Sequence, residues 1–297
     1  MAWIAGADGC RSGWFRASYE TETGALSFDA VRCASDLITR PASPYAYGFG
    51  GRVAGILPLG SRSRDGALFS FPGRFAPRLL ARHAAGNERS MGHALRFDLS
   101  VRWSRPEVLA VDIPIGLTES GQRACDREAR NLLGWPRRNS IFPAPVRAAL
   151  AAQSREEASR ITRNQDGRGV GCQAWGLYPK IGEIDDLLQS RKELRQIIRE
   201  VHPEVCFWAW GGGQPMASAK KTPAGKAERL ALAEGWLGRG VLDEARGTSP
   251  RSMVGDDDIL DAIAALWSAA RIFAGIAETL PASPVPDSTG LRMEIVY

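Results

Sequence analysis

Val108-Leu109-Ala110-Val111-Asp112-Ile113-Pro114 is an apolar run interrupted by one acid and stopped by a proline. Apolar on both faces, it has the pattern of a central strand covered from both sides. Ala5-Gly6-Ala7-Asp8-Gly9 ends in the same way: small apolar residues, one aspartate, then a breaker. Strands of this kind need helices above and below the sheet, which makes the chain α/β. Working outward, residues 3–7, 14–19 and 26–32 read as three strands, the last two joined by the turn Glu20-Thr21-Glu22-Thr23-Gly24. Residues 34–39 start a helix that Pro41 ends, and helical patterns follow over 122–133, 147–160, 181–199 and 226–236. A fifth strand is expected over 205–210, closed by Gly211-Gly212-Gly213, and a last long helix runs from Asp256 to about residue 277. The expected fold is one domain spanning 1–297, a mixed sheet with helices on both faces.

Composition narrows the chemistry. The five cysteines, Cys10, Cys33, Cys125, Cys172 and Cys206, form no Cys-x-x-Cys pair, and the three histidines are scattered. Zinc knuckles and Cys/His relays are thereby disfavoured, and free thiols suit a reducing, cytoplasmic setting. No stretch approaches the ~18 apolar residues of a membrane span, so no membrane partner is expected. The net charge of +5 is unevenly spread. Between Arg40 and Arg105 there are eleven arginines against Asp65, Glu88 and Asp98, a net +8, which leaves −3 for the rest. This 40–105 stretch, rich in Gly, Ser and Pro, reads as a largely irregular basic insertion between the third and fourth strands, with one short helix near 76–83. It is either an arm for nucleic acid or a solvated arginine-rich loop. Only five of the 38 basic residues are lysines, and three of those fall in Lys220-Lys221-Thr222-Pro223-Ala224-Gly225-Lys226. In so arginine-rich a chain, that cluster hints that compact ammonium groups are wanted.

The acids supply the candidate site. Asp8 and Asp112 close two strands at their carboxyl ends, where α/β sheets build sites. A turn-capping Asp has the same position, but a buried lone carboxylate is costly unless paired or bound to a metal. The last helix opens Asp256-Asp257-Asp258-Ile259-Leu260-Asp261, with Asp257, Asp258 and Asp261 within one arc of about 100°. First-turn acids suit any helix N-terminus. Asp261 lies beyond that turn, on a face continued by the small residues Ala264, Ala265 and Ser268. If that helix crosses the strand ends, Asp8, Asp112, Asp258 and Asp261 converge. Mg²⁺ or Mn²⁺ would then relieve their repulsion, and two such ions about 4 Å apart suit in-line displacement at phosphate.

These segments also carry a likeness. GADGCRSGW (6–14), VDIPIGL (111–117), CDREAR (125–130), SIFPAPVR (140–147), QAWGLYPKIGEID (173–185), EVHPEVCF (200–207), KKTPAGKAER (220–229), DDILDAIAALWSAAR (257–271) and GLRMEIVY (290–297) resemble, in order, domain-of-unknown-function family 429. Its members are described as predicted nucleases with the ribonuclease H fold. The basic stretch departs from the family pattern, which joins the third strand to VDIPIG more briefly. The resemblance implies a ribonuclease H-like sheet with acids on the first strand (Asp8), the fourth strand (Asp112) and the final helix (Asp258, Asp261). Among the other matched residues, Glu204, opening the expected fifth strand, is a further metal ligand, a base, or an edge-strand acid. Lys180, Lys220, Lys221 and Arg229 either hold phosphates or are solvated surface cations. Trp175 stacks on a base or fills the core. Arg123, Arg127 and Arg130 line the site mouth or pair with Asp126 and Glu128.

Three functions fit this reading. The first is a metal-dependent nuclease, a phosphodiesterase acting on DNA or RNA with two Mg²⁺ or Mn²⁺ ions. The second is a phosphotransferase of the actin-like kinase type, in which Asp8-Gly9-Cys10 and Asp112-Ile113-Pro114-Ile115-Gly116 would wrap the phosphates of ATP. The third is a non-catalytic module that binds nucleic acid or protein.

Overall fold

Period-two alternation along the first strand decides where everything else sits. In the computed structural model, which describes residues 2–41 and 105–297, β1 (Trp3–Cys10) turns Ile4, Gly6, Asp8 and Cys10 to one face and Trp3, Ala5 and Ala7 to the other. β1 pairs antiparallel with β2 (Gly13–Glu20), and β2 with β3 (Leu26–Val31). On its other side β1 runs parallel to β4 (Val108–Val111), which runs parallel to β5 (Ile198–Glu200). The result is a five-stranded mixed sheet of order β3-β2-β1-β4-β5. The 40–105 insertion and the helix near 76–83 fall mostly or wholly outside the described residues.

Seven α-helices are described: α1 (Ala124–Leu133), α2 (Arg155–Asp166), α3 (Cys172–Ser190), α4 (Pro203–Trp210), α5 (Pro223–Leu237), α6 (Val241–Arg246) and α7 (Asp256–Phe273). The sheet is covered on both faces, as its doubly apolar strands require. Ile181, Ile184, Leu187 and Leu188 of α3 pack with Ala5, Ala7, Leu109 and Val111 on one face. Ile259, Ala262, Ile263, Ala265 and Leu266 of α7 pack with Ile4, Phe15, Ala17 and Ala110 on the other. α7 seats directly on β1 because Gly6 has no side chain. A Cβ there would lie 1.9 Å from the Leu266 nitrogen and 2.4 Å from the Ala262 oxygen, both backbone atoms.

Several elements differ from their sequence reading. Residues 205–210 are helical: Pro203 occupies the first turn of α4, where a missing N–H costs nothing, and the β-favouring Val205, Cys206 and Phe207 are buried there. The fifth strand is instead β5, which begins at the end of the stretch that reads as one helix over 181–199. α3 stops at Ser190, a 3₁₀ segment covers Lys192–Gln196, and three strand residues follow. Residues 147–160 also divide, into a 3₁₀ turn (Arg147–Ala149) and α2. Ser154 caps α2 by accepting from the Glu157 amide at 3.2 Å. The helix expected over 34–39 is a 3₁₀ turn, Ala34–Ile38, and the last helix ends at Phe273. A two-stranded ribbon, β6 (Thr279–Leu280) with β7 (Ile295–Val296), lies outside the expected elements. Among the described residues no helix is long and apolar enough to cross a membrane.

Candidate metal centre

Asp8 is on the α7 face of β1, and Asp112 follows β4 immediately. The Asp112 amide donates to the Ala7 carbonyl at 3.0 Å, so the parallel pairing continues one step past β4 and holds the two acids level. Across from them α7, brought close by Gly6, presents Asp261. One carboxylate oxygen from each of Asp8, Asp112 and Asp261 lies within 4.8 Å of the others. Asp8 and Asp261 are buried, at 8% and 2% exposure, and Asp112 is partly so. The sequence expectation that two strand ends and one helix share an acidic point is met by these three residues.

Burial and mutual repulsion load the centre. Burial first, then the charges of Asp112 and Asp261, push the Asp8 carboxyl well above the usual range, while Lys220 opposes them. Burial raises Asp112 to about 7, with Lys220 pulling it down and Glu204 pushing it up. Asp261 rises to about 6 for the same leading reason, again opposed by Lys220. The Lys220 ammonium donates to Asp261 Oδ2 at 2.6 Å. Burial works against that cation, but Asp261, Asp8 and Asp112 together hold it charged well above the ordinary lysine range. All three acids offer hard oxygen donors from fixed elements. One ammonium does not offset them, and a divalent cation fits that donor set.

Asp258 is not among the three that meet within 4.8 Å. It is in the first turn of α7, and its Oδ2 accepts from the Gly255 amide at 2.8 Å, the helix-capping role. Its charge still reaches Asp8. Glu204 is carried by α4, not by a strand, and is buried against the equally buried Arg229, Oε1 to Nη2 at 2.5 Å. Arg229 is therefore not a solvated surface cation. Glu204 Oε2 is buried with no hydrogen-bond partner among the described residues, and its charge acts on both Asp112 and Asp261. Lys180 is spent elsewhere: its stem covers Gly9, and its ammonium donates to the Gly13 carbonyl and lies 4.7 Å from the centre of the Trp14 ring. Lys221 is exposed. Trp175 is half-buried and packs on Tyr178, with centroids 4.8 Å apart.

The loop after Asp112 is held by a buried ionic network. Arg123 reaches both oxygens of Glu200 at 2.7 Å and both of Asp126 at 2.5 and 3.1 Å. Glu200 also accepts from the Ile115 amide at 2.5 Å, and Asp287 from the Leu117 amide at 2.9 Å. Arg123 thus pairs with Asp126 inside the protein and does not line a site mouth. Arg130 donates to the Ile141 carbonyl, and Arg127 is exposed. Sequence reasoning passes over His202, which caps α4. Burial lowers its pKa, and it feels the charges of Glu204, Asp261 and Lys220, while its Nδ1 is buried without a partner among the described residues. The available signal is the triplet His202-Pro203-Glu204, in which the proline fixes a helix start and sets both polar residues at one end of it.

Comparison with known proteins gives one match. The family described as "Protein of unknown function (DUF429)" matches residues 83–285, a span that includes Asp112, Glu204, Lys220 and Asp261 but not Asp8 or residues 290–297. No curated protein and no solved structure matches the chain.

Proposed function

This chain belongs to the DUF429 family, and from that membership and the acidic centre we infer that it is a metal-dependent phosphodiesterase acting on nucleic acid. The observation that carries the reading is the convergence of Asp8, Asp112 and Asp261 within 4.8 Å, from β1, the end of β4 and α7. Acids so placed on a sheet of order β3-β2-β1-β4-β5 also support the ribonuclease H-like reading of the fold. Asp8, Asp112 and Asp261 would hold the ion, Mg²⁺ or Mn²⁺ by the hardness of their oxygens. A divalent ion bound there supplies Lewis acidity toward a phosphoryl oxygen and toward water at neutral pH. Lys220, partly open to solvent at 39%, can meet a substrate phosphate while remaining on Asp261. Arg229 pairs with Glu204 and so offsets part of the charge that Glu204 adds beside Asp112 and Asp261. The basic composition of 40–105 suits a polyanionic substrate.

The phosphotransferase alternative needs free backbone amides in the loop after Asp112. Those of Ile115 and Leu117 are already bonded to Glu200 and Asp287, which weighs against a phosphate cradle there. The test is hydrolysis of single-stranded and duplex DNA and RNA oligonucleotides with Mn²⁺ or Mg²⁺, by wild type and Asp112→Asn. Cleavage that needs the metal and is abolished in the variant is expected. No cleavage of any substrate, or equal cleavage by the variant, overturns the reading.

A further inference from the structure

Lys220 is held where a free surface lysine would not be. It sits in the turn before α5, and that turn is tied down from several sides. The Thr222 amide donates to the Ala219 carbonyl at 2.9 Å, and the Thr222 hydroxyl to the same carbonyl at 2.8 Å. Thr222 Oγ1 also accepts from the Gly225 amide at 3.0 Å and so caps the helix. Gly225 abuts the Ala219 carbonyl so closely that a Cβ would come within 2.0 Å of it. Upstream, Glu228 accepts from the amides of Ala217 and Ser218 at 2.8 and 3.1 Å, and Arg229 donates to the Ser218 carbonyl at 3.2 Å. The ammonium is thus delivered to Asp261 from a fixed turn, and it faces Asp8 and Asp112 as well.

Charge balance then limits what else the centre can hold. Asp8, Asp112, Asp261 and Glu204 face Arg229 and Lys220, which leaves two negative charges. Asp258, bonded to the Gly255 amide at the helix start and lying near Lys220 and Arg11, is outside this set, although Asp8 feels its charge. One divalent ion neutralises the remainder. A second would put an excess of two positive charges into a buried space and crowd the ammonium that already holds Asp261.

Resting on the phosphodiesterase reading, we propose that Lys220 is the second cation of this centre, standing in the place of a second metal ion, so that the carboxylates bind a single divalent ion. A substrate phosphate would then lie between that ion and the Lys220 ammonium. The centre takes one metal where the sequence alone suggested two.

The experiment is Mn²⁺ binding to the full chain, followed by the electron paramagnetic resonance signal of free Mn²⁺. The Asp8→Asn/Asp112→Asn double variant gives the background. Wild type and Lys220→Arg should each bind one ion above background. Lys220→Met should bind two, the first at least about tenfold more tightly, since removing a unit positive charge a few ångströms from a divalent ion at moderate effective dielectric is worth more than a factor of ten. Lys220→Arg keeps the charge, so it separates removal of the charge from disruption of the turn, and thermal melts check that both variants fold. Two ions on the wild type, or one ion with unchanged affinity on Lys220→Met, overturns this inference and leaves the phosphodiesterase reading standing. No ion on the wild type overturns both.

Discussion

Replacing Asp112 with asparagine should stabilise the metal-free protein and remove its response to metal. The Asp112 carboxyl is raised from 3.8 to about 7, chiefly by burial. Above pH 7 the folded chain must carry this charge, which the unfolded chain carries freely. At 1.4 kcal/mol per pH unit, that raised value corresponds to about 4 kcal/mol as an upper figure. Because the folded form binds this proton more tightly, the Asp112 contribution to stability is greatest below about pH 4 and falls as pH rises through the window from about 4 to 7. Asparagine removes this slope. The difference in stability between variant and wild type, measured without metal by thermal or urea unfolding, should be near zero at pH 4. It should grow to about 1–4 kcal/mol in favour of the variant at pH 8, a rise in Tm of roughly 2–8 °C for a chain of this size. Mn²⁺ should reverse the order. A ligand at a hundred times its Kd adds about 2.7 kcal/mol to a protein that binds it, and the variant should gain little. The reasoning fails if the metal-free variant melts below wild type at pH 8. It also fails if Mn²⁺ raises both melting points equally.

Gly6→Ala should lower stability by about 3 kcal/mol or more in urea unfolding and weaken Mn²⁺ binding, because the new methyl meets the backbone of α7 at 1.9 Å. Unfolding at the wild-type urea midpoint would show that the helix can move aside freely. Arg229→Met strands a buried Glu204 charge and should cost roughly 3–5 kcal/mol, partly restored by adding Glu204→Gln. A double variant no more stable than the single would show that the pairing is not the cause. Replacing 40–105 with a short Gly/Ser linker should leave a folded, metal-binding protein. It should also flatten the salt dependence of nucleic-acid binding, by a log–log slope of about 0.7–0.9 for each phosphate that the shortened chain no longer neutralises. An insoluble product, or an unchanged slope, would give the segment a different role.

The parts of the site that can be read in the sequence are those fixed by periodicity. Asp8 and Asp112 each close a continuous apolar run that marks a buried strand end, and the strand's period of two places both on the face that α7 covers. Asp261 is legible because it lies beyond the helix's first turn, where capping no longer explains an acid. Asp258, three positions earlier on the same arc, is taken by that capping. Periodicity cannot separate the two, because both lie on one face. Glu204 reads as a strand residue because Val205, Cys206 and Phe207 favour strands. Burial on a helix selects the same residues, and only Pro203 signals the difference. Lys220 is marked by the scarcity of lysine, but its bond to Asp261 joins residues distant in sequence and leaves no local pattern. His202 leaves still less trace, since its role depends on what packs around the end of α4.

The seating of α7 on Gly6 bears on the order in which this protein folds. The hairpin that carries Asp8 is local in sequence, whereas the pairing of β4 with β1 that adds Asp112 joins distant segments. Asp261 arrives only with α7, and its arrival brings a third buried negative charge against two others. Docking of that helix therefore gathers apolar contact and charge repulsion into a single step. Without a cation it becomes the step most easily reversed, so partial opening should begin there. A chain still being made, or one that has begun to come apart, holds its acids separated and lacks the centre entirely. On the phosphodiesterase reading proposed above, activity would appear only when the last helix closes on the sheet, and an ion bound by the three acids would also latch that closure.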